Sequence, residues 1–269
     1  VQIPKEDRAP ETHDPLFIRW LEYKADLCAK VHRELFAYVK EISGGKAIVL
    51  HNPCFPRPGR GLTQRGFEPS RVSLDCDYIF AENSVGFIRM ENGRIKGQVD
   101  AFKFGERFGY QVLDACWTHN DAGKARLPYN REEVVRFQVQ SMIFGGLCGS
   151  PWTVRSIKDG HKNILEDNKV ITPALKEAFD YYYKYQKLFR LPAENYVKIL
   201  YVPENVLACL EHGLDYIRSV VEELVTAGIP FSFVTEEDLT QWEEKIDAKE
   251  QVLLIPRVVY ASEPLLEKI

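Results

Sequence analysis

No apolar run in this chain is long enough to cross a bilayer. The longest, such as Lys46 to Leu50 and Val252 to Ile255, fall far below the ~20 residues a spanning helix needs. There is no Cys-x-x-Cys pair, so the six cysteines, Cys28, Cys54, Cys76, Cys116, Cys148 and Cys209, do not spell a zinc ribbon. Four of them fall in or beside expected strands, where a free thiol packs as a small hydrophobe. Unpaired thiols fit a reducing compartment, which favours the cytoplasm. No Lys/Arg cluster stands out, and a net charge of −4 leaves no electrostatic footprint for nucleic acid. Gly-x-Gly-x-x-Gly, the phosphate-loop pattern, Gly-x-Ser-x-Gly and His-Glu-x-x-His are all missing, which removes the best-marked nucleotide, serine-hydrolase and zinc-protease readings. Secretory signal, internal repeat and low-complexity tract are likewise not seen. Nucleic acid and membrane therefore drop out as expected partners.

What remains is an ordinary globular composition. The 269 residues are 45 % apolar and 28 % charged, room for one large domain or two smaller ones. The chain starts at Val1 and stops at Ile269 just as Ser262-Glu263-Pro264 opens a helix, so it is expected to be a piece of something longer.

The pattern along the chain alternates. Asp14-Pro15 is a helix start, cap then first-turn proline. That helix should run to about Ile42, with Phe17, Leu21, Cys28, Val31, Leu35, Val39 and Ile42 on its buried stripe. Ala47 to Leu50 reads as a strand ending at His51-Asn52. Residues 53 to 73 hold Pro53, Pro56, Pro58 and Pro69 among several glycines and read as loop. Tyr78-Ile79-Phe80 reads as a buried strand ending at Glu82-Asn83. A helix is expected near Ile95 to Phe108, with Val99, Phe102 and Phe108 inward, then a strand from Tyr110 to Cys116 closing on Trp117-Thr118-His119. A helix follows from Asn130, then a short strand at Leu147 to Ser150 running into Trp152, then a helix from about Pro173 to Phe189. The composition shifts near residue 193. Beyond it, strands at Val197 to Val202, Phe231 to Val234 and Val252 to Ile255 alternate with a helix near Leu214 to Ala227 stopped by Gly228.

Strand–helix alternation of this kind makes a parallel sheet with right-handed crossovers, either a barrel or an open sheet. In both, ligands meet the C-terminal ends of the strands. Those ends carry His51 and Asn52, Glu82 and Asn83, Trp117 and His119, and Trp152. Carboxylate, amides, imidazoles and indoles suit a carbohydrate: amides and imidazoles bind hydroxyls, indoles stack on C–H faces, and a carboxylate protonates a leaving oxygen or attacks the anomeric carbon. Each residue also has a structural reading. Asn52 and Asn83 can satisfy backbone groups, the histidines can be ordinary loop or core residues, and Trp117 and Trp152 can plug the sheet's mouth. Glu82 is the hardest to read structurally, because an unpaired charge beside an apolar strand is costly.

The helix Asp14-Pro15-Leu16-Phe17-Ile18-Arg19-Trp20-Leu21-Glu22-Tyr23, with the strand ending His51-Asn52, resembles the middle of glycoside-hydrolase barrels, nearest the family 42 β-galactosidases and related, in part fucosidase-like, glycosyl hydrolases. Val197 to Tyr201, Tyr216 to Phe231 and Val252 to Pro256 resemble the β-galactosidase trimerisation domain. The resemblance implies that residues 1–192 are the C-terminal half, strands five to eight, of a (β/α)8 TIM barrel, and that 193–269 begin a flavodoxin-like, glutamine-amidotransferase-like domain. It implies a two-carboxylate glycosidase with no metal or organic cofactor, a carbohydrate substrate and a homo-oligomer, in the family a trimer. Glu82 would be one catalytic carboxylate, its partner lying upstream; His51, Asn52, Asn83, Trp117, His119 and Trp152 would bind sugar. The family keeps its nucleophile on strand seven, where this chain has Trp117, so Glu82 on strand six reads as a displaced acid or a substrate-binding carboxylate. The competing expectation is a catalytically inactive carbohydrate-binding or oligomerisation protein on the same scaffold. A half-barrel alone would also expose the flank where further strands pair, and should self-associate.

Overall fold

The computed structural model describes residues 14–52, 66–72, 76–83, 89–97, 99–116, 131–148, 171–189, 191, 195–209, 213–239 and 251–268. Helix α1 spans Pro15–Ile42, with the Asp14 carboxylate accepting from the Leu16 N–H at 2.9 Å. It ends at Gly44 and Gly45, both at positive φ, 59° and 78°, a conformation glycine adopts without strain. The expected buried stripe holds only at its start. Phe17 and Leu21 are buried, packing with Leu207, whereas Val31, Leu35 and Ile42 are exposed. Helical spacing marks an apolar face; only a neighbour decides whether that face is covered.

The first sheet is wholly parallel. Its strands β1 (Leu50–His51), β2 (Tyr78–Asn83), β5 (Gln111–Cys116) and β6 (Leu147–Cys148) lie side by side in chain order. Strand β1 is shorter than expected. The backbone of residues 47–49 is tied off instead: Lys40 Nζ donates to the Ala47 carbonyl at 2.7 Å, and the Val49 N–H donates to Asp77 Oδ2 at 2.7 Å. Between β2 and the next helix lies an antiparallel hairpin, β3 (Arg89–Glu91) with β4 (Arg94–Lys96). It turns on Asn92-Gly93, at φ 52° and 77°, the pairing a two-residue type I′ turn requires. The helix expected from Ile95 therefore starts later, as α3 (Val99–Phe108). A single turn, α2 (Pro69–Val72), interrupts the expected loop before β2. Helices α4 (Arg131–Ile143) and α5 (Ile171–Phe189) follow β5 and β6 and pack together.

The second sheet is parallel as well, in the order β8-β7-β9, with β7 at Val197–Leu200, β8 at Phe231–Val234 and β9 at Val252–Leu254. Helices α6 (Pro203–Ala208) and α7 (Gly213–Ala227) link β7 to β8, and α8 (Glu263–Lys268) follows β9.

Helix α3 is the wall shared by both sheets. One apolar cluster runs from Ile79, Ala81 and Val112 of the first sheet, through Val99, Phe102 and Phe104, to Ile199, Phe231 and Phe233 of the second. Phe104, fully buried, stacks on Phe233 with ring centroids 4.3 Å apart and meets Tyr201 edge-on at 5.1 Å. Each such buried aromatic contributes about 1.5–3 kcal/mol by area. Phe108, expected to face inward, is half-buried and packs edge-on against Tyr201 at 5.5 Å. Between the two sheets the first two turns of α3, Val99 to Gly105, are buried all round, Asp100 and Lys103 included.

Candidate functional site

Parallel pairing fixes which strand ends share a level. On β2 the last two positions, Glu82 and Asn83, pair with Ala115 and Cys116 of β5. The backbone thus brings the Glu82-Asn83 end and the end that leads into Trp117 side by side. The side chains of Glu82 and Asn83 lie outside what the structure describes, and Trp117, His119 and Trp152 lie outside the described residues altogether.

His51 stands elsewhere. It pairs with Ile79, not with the end of β2. Asn83 lies four positions beyond Ile79, which at strand rise is about 13 Å. His51 is thus near the beginning of β2, with exposed Asn52 following it. Its ring lies against α1, 3.8 Å from the His32 ring by centroid, with Phe67 edge-on at 6.4 Å. Its Nδ1 is buried and has no hydrogen-bond partner among the described residues. Burial, and then the neighbouring His32, pull its pKa from 6.5 to about 4. The fold holds a neutral imidazole there, poor as a general base near neutral pH.

At the same end, Asp77 accepts from Lys40 Nζ at 2.7 and 3.0 Å and from the Val49 N–H. The hydrogen bond from Lys40, then that from Val49, keeps its carboxyl below the ordinary carboxylate range. One side chain joins α1, β1 and β2.

Two buried carboxylates were not singled out by sequence. Glu68 is fully buried; its Oε1 accepts from the Ser70 N–H at 3.0 Å and from the Tyr201 hydroxyl, and its Oε2 from the Ser70 hydroxyl. Burial raises its pKa, against the hydrogen bonds from Ser70 and Tyr201 and the charge of Arg71. Arg71, 3.9 Å from Glu68, also reaches Asp26 at 3.4 Å and Glu204 at 3.8 Å. The signal that could have found Glu68 is Glu68-Pro69-Ser70, a capping side chain before a first-turn proline. Asp100, also fully buried, accepts from Arg218 Nε at 3.2 Å and NH2 at 3.0 Å. Both carboxylates are perturbed or paired, yet both are sealed from solvent, so neither can touch a sugar. Glu68 ties the start of α2 to Tyr201 at the end of β7, and Asp100 ties α3 to α7.

Among the described residues, no group of three His, Cys, Asp or Glu is arranged to hold a metal ion, and no helix is long and apolar enough to cross a membrane.

Two wholly parallel sheets flanked by helices make this an α/β protein, on a scaffold like that of glycoside hydrolases. The likeness is to the β-galactosidase of the psychrophilic Marinomonas ef1, with a TM-score of 0.66 and 12 % sequence identity over all of this chain and 44 % of that one. The chain thus spans less than half the length of that enzyme. A weaker match is the GH5_18 protein of Bifidobacterium longum subsp. longum, in complex with Manb1-4GlcNAc, at a TM-score of 0.44 and 14 % identity over 74 % of this chain and 54 % of that one. No protein-family model and no curated protein matches the sequence.

Proposed function

We propose that this chain is part of a glycoside hydrolase, β-galactosidase-like or fucosidase-like, in which Glu82 is one of two carboxylates at the scissile bond. The observation that carries the reading is Glu82 as the penultimate residue of β2, a strand of a wholly parallel sheet, on a chain that superimposes throughout on a β-galactosidase. In such sheets the C-terminal strand ends are where chemistry is done.

The finer fold belongs to the same proposal. Sequential order β1-β2-β5-β6 with right-handed crossovers puts every crossover helix on one face, as in one half of a (β/α)8 barrel. The order β8-β7-β9, second strand, first, third, is how a flavodoxin-like sheet begins. Residues 1–192 would be strands five to eight of the barrel, and residues 193–269 the start of a trimerisation-like domain. The second carboxylate would come from the part of the barrel this chain does not cover. Asn52, Asn83, Trp117, His119 and Trp152 would bind the sugar. His51, held neutral against α1, is the member of the expected set with least access to it.

The chemistry needs one carboxyl protonated to assist the leaving oxygen and one ionised to attack, or to activate water. The test is turnover of nitrophenyl glycosides by the full-length protein carrying this chain. Glu82→Gln should lower kcat at least about 100-fold, the scale of a lost acid–base group, with KM changed only a few fold. Unchanged turnover would remove Glu82 from the mechanism. The strand β5 runs into Trp117, where the family keeps its nucleophile, and this favours the alternative of a binding or oligomerisation protein; glycan binding without turnover in the unmodified protein would establish it.

A further inference from the structure

Hairpin β3–β4 stands in the connection that leaves the Glu82 strand. Strand β2 ends at Asn83 and helix α3 begins at Val99. A link of about 2–6 residues suffices to join a strand to the helix behind it, and residues 84–98 are far more than that. In parallel α/β folds such connections form the rim of the ligand end, and differences among them set what a site accepts. Strand β3 starts at Arg89, which the chain length from Asn83 keeps within about 22 Å of the strand end.

The hairpin is held by a helix of the second sheet, α7. The Ile95 N–H donates to Thr226 Oγ1 at 2.7 Å, and the Thr226 hydroxyl donates in turn to the Glu222 carbonyl of its own helix at 2.6 Å. A hydroxyl has one proton, so with that proton on Glu222 the oxygen is free to accept from Ile95. Beside it, Arg94 Nη2 lies 2.5 Å from Glu223 Oε1. Two turns back along α7, Arg218 holds Asp100, in the first turn of α3, at 3.0 Å. Arg218, Glu222 and Thr226 follow one another at four residues and share one face of the helix. Strand β4 thus spends its outer edge on α7. Its partner β3, which pairs Met90 with Ile95, is the strand turned away from that helix.

Glu82 does not depend on this anchor for its own place. Glu82 and Asn83 pair with Ala115 and Cys116, so the sheet sets the backbone at the strand end. What a fixed hairpin at the rim adds is shape beside the scissile bond, where the rest of a longer substrate has to pass. We propose that hairpin β3–β4, anchored on α7 by Thr226 and Glu223, is a fixed wall of the substrate cleft next to Glu82 and grips the part of a glycoside beyond the scissile bond. The substrate class is then an oligosaccharide with a sugar leaving group, and Thr226 and Glu223 are positioning residues that act through the hairpin. The proposal rests on the reading of Glu82 as a catalytic carboxylate.

The test is steady-state kinetics of the full-length protein carrying this chain, with lactose as substrate and free galactose as inhibitor (2′-fucosyllactose and fucose if the fucoside is the one turned over). The free sugar fills only one side of the scissile bond. Thr226→Val keeps the shape and removes the acceptor; it should raise the disaccharide KM about fivefold, the scale of one lost hydrogen bond, with kcat and the free-sugar Ki within about twofold. Thr226→Ser, which keeps the hydroxyl, should restore the KM. Arg94→Glu should raise the same KM about threefold, as an exposed ion pair is lost, and adding Glu223→Arg should bring it back to within about 1.5-fold. Both of those side chains are about half exposed, so the charge swap decides the matter even if Thr226→Val does not fold. A disaccharide KM that none of these variants moves, a KM and Ki that rise together, or turnover of nitrophenyl glycosides but of neither disaccharide would each overturn the wall. Turnover indifferent to Glu82→Gln would overturn the reading beneath it, and the wall with it; that variant alone tells the two failures apart.

Discussion

His51 should make the fold acid-sensitive in a definite window. The perturbation is His51→Phe, which keeps an aromatic ring against His32 and Phe67 and removes the titrating group. Burial and His32 hold the folded imidazole near pKa 4, against 6.5 unfolded. As pH falls below 6.5, the unfolded chain takes up a proton that the folded chain refuses. The His51 contribution is therefore present in full above 6.5 and is lost as the pH falls through about 4. The whole shift corresponds to about 3.4 kcal/mol, of which about 2 kcal/mol is already lost at pH 5. His51 is only partly buried, and screening by solvent should reduce the loss at pH 5 to about 1 kcal/mol. Urea unfolding at pH 7.5 and pH 5 measures it. The unmodified chain should lose about 1 kcal/mol more than the variant between the two conditions. Equal losses, within about 0.3 kcal/mol, would mean that the fold does not keep this imidazole neutral.

The two buried tyrosines should behave oppositely. Tyr201→Phe removes the hydroxyl that donates to Glu68 and should cost about 1.5–3 kcal/mol in urea unfolding; Tyr110→Phe removes a hydroxyl with no partner among the described residues and should cost less than about 0.5 kcal/mol, or stabilise. Arg218→Leu strands the fully buried Asp100 carboxylate and should cost about 3–5 kcal/mol, most of it recovered when Asp100→Asn is added. Gly66→Ala should lower stability by about 2–3 kcal/mol, because the residue sits at φ 67° with a Cβ only 2.6 Å from Cys28 Sγ and 2.9 Å from the Lys24 carbonyl. Gly45→Ala, also at positive φ but with open space around it, should cost about 1 kcal/mol, and thermal melts of the pair separate strain from collision.

What could be read from sequence is what local chemistry decides. The Asp14-Pro15 cap, the β-branched and aromatic runs of β2 and β8, and Gly228 at the end of α7 each fix an element through residues close in the chain. Hairpin β3–β4 was also legible: Asn92-Gly93 stands between two short alternating runs, but the apolar spacing of the helix behind it extended too far forward. Covering is a different matter. Nothing in the spacing of α1 tells Leu21, which meets Leu207 some 186 positions away, from Leu35, which stays exposed. Glu68 was hidden for the same reason, since its partner Tyr201 belongs to the other sheet. For the candidate site, sequence placed Glu82 and Asn83 at a strand end. It also placed His51 there, because where a strand stops says nothing of the level at which it pairs.

Level along the strands separates stability from chemistry in this molecule. Asp77, His51 and Tyr110 all carry shifted pKa values, and all stand at the start of β2 or β5. Asp77 precedes Tyr78, His51 pairs with Ile79, and Tyr110 precedes Gln111, the partner of Tyr78. Perturbed titrations are often taken to mark active sites, but buried structural networks produce them too. Here these three groups lie level with the N-terminal ends of β2 and β5, the end that in parallel α/β folds serves stability, while Glu82 stands about 13 Å up the strand. The two ends should then respond independently. Asp77→Asn breaks the junction of α1, β1 and β2 and should lower the urea midpoint, while leaving the turnover proposed for Glu82 within about twofold. Glu82→Gln should do the reverse. A loss of kcat at Asp77 as large as that at Glu82, in protein still fully folded at the assay temperature, would place chemistry at the wrong end of the sheet and undo the assignment.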